Sequence, residues 1–153
     1  MVNEILISIA KALKGYTGSV YVDTVSQGAN EPFFILKFLK ADRISRLSDG
    51  YSERVQIKSH FQIVYLANTA AAINSMAETL PFDIKRISVD IDRGQETQTL
   101  ILNAARTEVH ADQDEHTLVC LVDYIYTSVA EEGEADLMLT ATINEEVYNG
   151  EKQ

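Results

Sequence analysis

The feature that most constrains the fold is an alternation of apolar and polar side chains over residues 53–66. Successive side chains of a β-strand point to opposite faces, so a period of two predicts a strand that packs on one face. Its other face meets water or a partner. Ser59 breaks the apolar side, and His60 lies on the polar side, where we interpret it as a surface residue. The apolar positions are Val55, Ile57, Phe61, Ile63 and Tyr65.

The segment before this strand predicts its hairpin partner. Residues 33–39 are almost continuously apolar, broken by Lys37, which is typical of a strand covered on both faces. Residues 41–50 are polar and end in Asp49-Gly50, a strong turn signal. We therefore expect a strand over residues 33–40, a polar loop over 41–50, and an antiparallel hairpin with residues 53–66.

Two segments have the period of amphipathic helices. The first is residues 2–14, in which Asn3 is positioned to cap the start and Gly15 to end the helix. Ile7 falls outside its apolar stripe. The second is residues 68–80, with Asn68 as the cap and Pro81 as the stop. The apolar stripe of the first helix is Val2, Ile5, Leu6, Ile9 and Leu13, and that of the second is Ala70, Ile73, Met76, Ala77 and Leu80.

Further strands are expected on both sides of the second helix, and they complete one sheet. Residues 97–110 fit either a helix or a strand by pattern alone. The layout predicts an α+β fold, mainly an antiparallel β-sheet with two α-helices packed on one face, in a single domain over residues 1–153. Residues 131–136 read as an acidic turn and residues 145–153 as a frayed tail. The remaining expected strands are residues 20–25, 85–92, 117–128 and 137–143.

Composition excludes several classes of protein. The chain has 13 basic and 23 acidic residues, a net charge of −10, which argues against a dedicated nucleic-acid binder. No apolar run approaches the roughly 20 residues that cross a membrane, and residues 1–13 predict a helix, not a signal peptide. The single cysteine, Cys120, lies in an apolar strand and reads as a small buried hydrophobe, which suits a reducing cytoplasm.

One cluster has residue types that bind metals. Alternating histidine and aspartate side chains on one straight strand would share a face and could hold a transition metal. The favoured interpretation is a hairpin turn over residues 111–115, from which these side chains diverge into solvent. The sequence contains no phosphate-binding loop, nucleophile elbow or zinc-protease motif. We therefore predict no catalytic, metal or cofactor-binding residues and no cofactor. The cluster consists of His110, Asp112, Asp114 and His116.

The stretch from Asp23 to Lys40, DTVSQGANEPFFILKFLK, resembles a known family. A helix, a short strand ending Asp23-Thr24-Val25, Gln27-Gly28, Pro32 and an aromatic strand follow in the order seen in phage tail terminator (tail completion) proteins of long-tailed phages and prophages. The later strand and helix over residues 51–80 and the strand ending at Tyr124 agree with that order. The resemblance favours a strand for residues 97–110.

The resemblance implies a structural virion protein that is not an enzyme. Such proteins form rings, usually hexamers, that cap the tail tube, end its polymerisation and join the head. It implies as partners other copies of the chain, the tail-tube protein and a head-completion or connector protein. DNA would pass through without specific binding, and no membrane is involved. The protein would be assembled in the bacterial cytoplasm and lie at the head-proximal end of the tail.

Alternatives from other classes are a head–tail connector or neck adaptor and, less favoured, a small metal-dependent enzyme using His110 and His116. The expected tube or subunit contacts are Ile7 on the first helix and residues of the polar 41–50 segment. Those residues are Arg43, Ile44, Arg46, Leu47 and Asp49.

Overall fold

The protein is an α+β fold, and its described residues form one six-stranded, mostly antiparallel sheet. The computed structural model describes residues 1–17, 19–48 and 53–130. Among these, the strands lie in the order β1-β2-β3-β6-β5-β4. The expected turn over 131–136, the strand over 137–143 and the tail over 145–153 lie outside the described residues. The elements are α1 (Val2–Leu13), β1 (Val20–Val22), β2 (Phe33–Ser48), β3 (Glu53–Leu66), α2 (Ala70–Ile84), β4 (Arg86–Arg93), β5 (Glu96–Asp112) and β6 (Thr117–Ala130).

The directions of the strands follow from their residue pairing. β1 is parallel to β2, whereas β4–β5 and β5–β6 are antiparallel. β2 and β3 are joined by residues 49–52, too short for the crossover that a parallel pair needs. Just after β3, the Ala67 N–H donates to the His116 carbonyl, and earlier in β3 the His60 side chain meets Asp123, which follows His116. The later position on the β3 side therefore meets the earlier position on the β6 side, so β3 and β6 are also antiparallel.

The described chain forms two compact units. The first contains Met1–Leu39 and His60–Tyr124, and the second contains Lys40–Ser59 with residues from Ile125 onward, of which 125–130 are described. β2, β3 and β6 contribute residues to both. In the second unit, the buried Ser59 hydroxyl donates to Tyr126 Oη at 3.1 Å, and the Ser45 hydroxyl donates to Gln56 Oε1 at 2.7 Å. Its described part is therefore a strand assembly with internal polar contacts.

The core of the first unit lies between the helices and one face of the sheet. α1 packs against β4 and α2, and α2 packs against β5 and β4. Aromatic rings continue the core across the strands, with Phe34 against Tyr65 at 4.8 Å and Phe61 against Tyr124 at 6.1 Å between ring centres. The fully buried helical side chains are Ile5, Ile9, Leu13, Ile73, Leu80 and Ile84.

Two glycines have left-handed backbone at the expected turns. Gly28 has a φ of 84° in the loop before β2, and Gly94 has a φ of 71° in the β4–β5 turn. Both conformations suit a residue without a Cβ. The expected strand over residues 20–25 is shorter than predicted, because it ends at Val22 and Asp23 takes a φ of 68°.

The predicted polar loop over residues 41–50 is wrong for most of its length. β2 continues to Ser48, so Arg43, Ile44 and Arg46 lie within a strand. The partner strand β3 is 14 residues long, so it can pair with the backbone of residues 41–48. Backbone pairing of this kind does not require apolar side chains. The expectation that residues 33–39 are covered on both faces is also wrong at Leu39, which is 47% exposed.

Both ends of the second helix differ from the prediction. α2 begins after Thr69, whose Oγ1 accepts the Ala72 N–H at 3.2 Å, while the Asn68 side chain instead donates to the Glu31 carbonyl. Pro81 lies inside the helix, which continues to Ile84. Burial of Ile84 and a 2.5 Å hydrogen bond from the Tyr124 hydroxyl to its carbonyl hold this last turn in place.

The ends of α1 also differ from the prediction. Met1, not Asn3, is the N-cap, and no side chain makes a capping hydrogen bond there. Lys14 is the C-cap in a right-handed conformation, so Gly15 does not provide a left-handed end. Neither helix among the described residues is long and apolar enough to cross a membrane.

Candidate functional site

Ile7 is presented on the outer surface of α1. The helix buries Ile5, Ile9 and Leu13, so its opposite side faces away from the core. Ile7 is 55% exposed there. Just after the end of α1, the Tyr16 hydroxyl donates a hydrogen bond to the Asp83 carboxylate on α2. Ile7 is therefore an apolar side chain on a well-anchored helix in the first unit.

The other described candidates follow one another on β2 in the second unit. Arg43, Ile44 and Arg46 are all exposed, with Ile44 at 45%. They are carried by a strand that pairs with β3, whereas the sequence had suggested a loop. The side chain of Leu47 and the whole of Asp49 lie outside the described residues. A strand holds such side chains in a narrower range of orientations than a loop, which lowers the entropy lost on binding.

A charged network that the sequence analysis missed is centred on Asp123 of β6. Its side chain is only 2% exposed, and both carboxylate oxygens have partners. Arg106 Nε lies 2.9 Å from Oδ2, and His60 Nδ1 lies 2.7 Å from Oδ1. Burial of a carboxylate is costly unless it is paired and hydrogen-bonded, and this geometry meets both conditions.

His60 is thus not the surface residue that we predicted. Its side chain is 14% exposed and contacts Asp123 across the β3–β6 pair. Asp123 lies 63 positions from His60 in the chain, so no local pattern in the sequence points to this contact. The network continues outward on β5, where Arg106 Nη1 lies 3.5 Å from Glu108 Oε1 and His110 Nε2 lies 2.6 Å from Glu108 Oε2. These outer groups are about half exposed or more, so solvent screens them.

A β-bulge places Arg106 opposite Asp123. The β5–β6 register shifts between Ala104 and Arg106, so that Ala104 pairs with Tyr124 and Arg106 with Asp123. Bulges commonly redirect a side chain in this way. A signal was present in the sequence, because Asp123 interrupts the apolar run LVCLVDYIY and a charge in a buried strand requires a partner. The bulge itself has no such signal.

The histidine–aspartate cluster at the β5–β6 connection forms a turn, as the favoured interpretation held. Asp112 Oδ1 accepts the N–H groups of Asp114 and Glu115, each at 3.1 Å, and His116 has a φ of 51°. No group of three or more potential ligands is placed to hold a metal ion within the described ranges. An open groove of about 480 Å³ lies beside the turn, lined by His110, Ala111, Asp112, Glu115, Thr117 and Val119.

Cys120 is fully buried in β6. Burial raises the pKa of its thiol to about 12, so the thiol stays protonated at neutral pH. A protonated, inaccessible thiol is a poor nucleophile. Its position agrees with the packing role that the sequence indicated.

Comparison with known proteins places these surfaces in a context. No curated protein sequence matches the chain significantly. A family model described as phage tail terminator protein matches residues 4–136, which include the described strands β1 to β6, α2 and all but the first residues of α1. The match covers most of the chain and supports a structural role in the phage tail. This protein belongs to the phage tail terminator family.

Proposed function

We propose that about six copies of this chain form a closed ring on the last ring of the tail tube. The ring stops tube polymerisation and offers its opposite face to the head connector. The observation that carries the proposal is the family match over residues 4–136. The protein would lie at the head-proximal end of the virion tail after assembly in the bacterial cytoplasm.

Termination follows from closure. A contact between two different patches of identical subunits generates a ring if the rotation closes and a filament if it does not. A closed ring leaves no growing end in its own plane. If only one face of the ring recognises tube protein, the opposite face cannot add a further tube ring. The chemistry required is surface recognition, which is consistent with exposed Ile7 and Ile44 on regular secondary structure.

The β2 strand is well suited to a tube or subunit contact. Arg43 and Ile44 are exposed on it, and the neighbouring Ser45 is anchored to Gln56 of β3. An exposed apolar side chain beside guanidinium groups resembles the mixture found at protein interfaces, where arginine is enriched. The proposal assigns this strand to contact with the tube and Ile7 to contact between copies.

Net charge supports passage of DNA through such a ring. The net charge of −10 repels phosphates in general, although the lumen-facing residues are not assigned. A protein that neutralised many phosphates would hold DNA and slow its transit. DNA is therefore proposed as a passing molecule without a specific site, and the head-completion protein as the partner on the opposite face.

A tube-growth assay tests the proposal. Purified chain is added at low molar ratio to polymerising tail-tube protein from the same phage or prophage, and tube length is measured by electron microscopy. We expect shorter tubes, and co-sedimentation of the chain with them. Normal tube length without binding would contradict the proposal. Binding to a portal-side protein in place of the tube would favour the neck-adaptor alternative.

A matched pair of variants locates the contact. Ile44→Asp on β2 is expected to weaken tube binding, whereas Ile101→Asp on β5 is expected to leave it unchanged. The two side chains are of the same type and are 45% and 46% exposed, so general loss of stability is controlled. Equal losses in both variants would remove the assignment to β2.

A further inference from the structure

Phe82 is an exposed aromatic side chain on the outer surface of α2. It is 80% exposed, more than any other large hydrophobic side chain in the described ranges. Leu80 and Ile84, two positions to either side, are fully buried, so Phe82 projects away from the core. Burial of this ring against another molecule would be favourable, because it removes apolar surface from water.

Charged side chains of opposite sign flank Phe82 along the helix. Glu78 precedes it by four positions, and Lys85, the C-cap with helical backbone angles, follows it by three. Both side chains are exposed. Residues three and four apart lie on one side of an α-helix, so these three residues form one surface, the α2 stripe. Along the chain it is acidic, aromatic and basic.

α1 carries a second stripe with matching spacing. Glu4, Ile7 and Lys11 are three and four positions apart and form the α1 stripe. Ile7 and Lys11 are exposed, and Glu4 is 32% exposed beside the N-terminal amine. This stripe is acidic, apolar and basic along the chain, with its three-residue interval first, whereas the four-residue interval comes first in the α2 stripe.

Antiparallel alignment of the two stripes brings opposite charges together at both ends. Glu4 then faces Lys85. At the other end Lys11 faces Glu78, and the two apolar side chains meet between these pairs. Alternation of three and four residues is the spacing with which two helices pack side by side at a crossing angle of about 20°. A parallel alignment would mismatch the intervals and place like charges together.

In the described part of the chain, the two stripes do not meet within one copy. α1 and α2 pack against each other, yet Ile7 is 55% exposed and Phe82 is 80% exposed. Neither apolar side chain therefore covers the other. Antiparallel contact between the stripes requires a second copy of the chain.

We propose that the α1 stripe of one copy packs antiparallel against the α2 stripe of the next copy. The contact joins two different patches, so each copy uses both, and a closed ring results when the rotation closes. This inference rests on the proposed function, since it names the surfaces through which copies in the proposed ring meet. It adds Phe82 to the interface as the apolar partner of Ile7.

Disulfide trapping between copies tests the alignment without altering either stripe. Lys14 lies three positions after Lys11, and Ser75 lies three positions before Glu78, so the alignment places Lys14 opposite Ser75. Both side chains are exposed. One chain therefore carries Lys14→Cys with Ser75→Cys. In the matched control, Ser88→Cys replaces Ser75→Cys, since Ser88 is an exposed serine on β4.

Both variants are oxidised as free chain and as chain added to tail tubes, and the products are separated on nonreducing gels. Cys120 is buried with a pKa of about 12, so it does not compete. We expect disulfides between chains to form at least about tenfold faster with Ser75→Cys than with Ser88→Cys, because contact raises the effective thiol concentration. Products larger than a dimer are expected. Rates equal to the control in both states, or products that stop at the dimer, would overturn the proposal.

Charge reversal tests the ion pair between Lys11 and Glu78. Lys11→Glu and Glu78→Lys are introduced singly and together into the chain that carries Lys14→Cys with Ser75→Cys. Each single reversal places like charges opposite each other and should slow cross-linking by at least about threefold. The double reversal restores opposite charges and should recover the original rate. A double variant that cross-links as slowly as the single variants would contradict the contact.

The tube-growth assay separates this inference from the proposed function. Short tubes, combined with cross-linking of the Ser75→Cys variant no faster than the control, would remove the helix contact and leave tube capping in place. Faster cross-linking without binding to the tube would support the helix contact and contradict the proposed function.

Discussion

Removal of Arg106 should destabilise the protein through the charge that it leaves behind. Arg106 is 48% exposed, whereas its partner Asp123 is 2% exposed. Arg106 is half exposed, so the Arg106→Met change recovers little desolvation free energy from the arginine. The buried carboxylate, however, loses the 2.9 Å contact to one of its oxygens. Loss of one partner of a fully buried ion pair costs about 3–5 kcal/mol. A buried neutral donor or acceptor left without a hydrogen-bond partner costs about 1–3 kcal/mol.

We expect about 2–3 kcal/mol for Arg106→Met, because Asp123 keeps its 2.7 Å contact with His60. For a chain of this length, that corresponds to a fall in Tm of roughly 5–10 °C. Addition of Asp123→Asn should restore at least about 1 kcal/mol, since a neutral amide is less costly to bury than an uncompensated carboxylate. The rescue distinguishes a charge effect from lost packing of the arginine stem.

The assay is urea denaturation followed by far-UV circular dichroism, with Arg86→Met on β4 as the control for loss of an exposed arginine. The sequence has no tryptophan, so circular dichroism is preferable to fluorescence. A stability of Arg106→Met within about 0.5 kcal/mol of the control would contradict a role for Arg106 in stabilising the buried carboxylate. A double variant that is less stable than Arg106→Met alone would contradict it as well.

Three further substitutions or conditions test the packing and the helix ends. Thr69→Ala removes the cap on the Ala72 N–H and should cost about 1 kcal/mol in urea denaturation; an unchanged midpoint would show that the cap is dispensable. Leu80→Ala, at a fully buried position, should cost about 2–5 kcal/mol, and a loss below 1 kcal/mol would contradict the assigned core. The Cys120 pKa is raised from 9.0 to about 12, so the unfolded chain loses this proton first and stability should fall as pH rises above 9. The fall is at most about 1.4 kcal/mol per pH unit for this group. Cys120→Ala should remove that part of the decline, and an identical decline in the variant would contradict the assignment.

The sequence predicted the strands whose alternation reflects a buried face. Residues 53–66 form β3 with the expected bounds, and residues 97–110 lie in β5 as the family resemblance favoured. It failed where pairing overrides local composition. The polar segment after Lys40 remains a strand because β3 supplies a partner along its length, and nothing local in residues 41–48 reports that partner.

Pro81 shows a similar limit. Proline normally disfavours a helix interior, yet α2 continues through it to Ile84. The burial of Leu80 and Ile84 and the hydrogen bond from Tyr124 to the Ile84 carbonyl stabilise the last turn. These contacts come from elements distant in the sequence, so a local rule about proline could not anticipate them.

The candidate surface was predictable only in part. Exposure of Ile7 follows directly from its position outside the α1 stripe, and exposure of Arg43 follows from its charge. The Asp123 network was not found, because His60 and Arg106 come from different strands and the bulge in β5 sets their alignment. The interface roles of Ile7, Arg43, Ile44, Arg46, Leu47 and Asp49 stay predictions.

Cryo-electron microscopy of tail tubes assembled with this chain shows whether the chain caps them. We expect a closed ring of this chain at one end of each tube, with the β2 side toward the last ring of tube protein. Tubes with both ends bare, or with the chain distributed along their length, would contradict it.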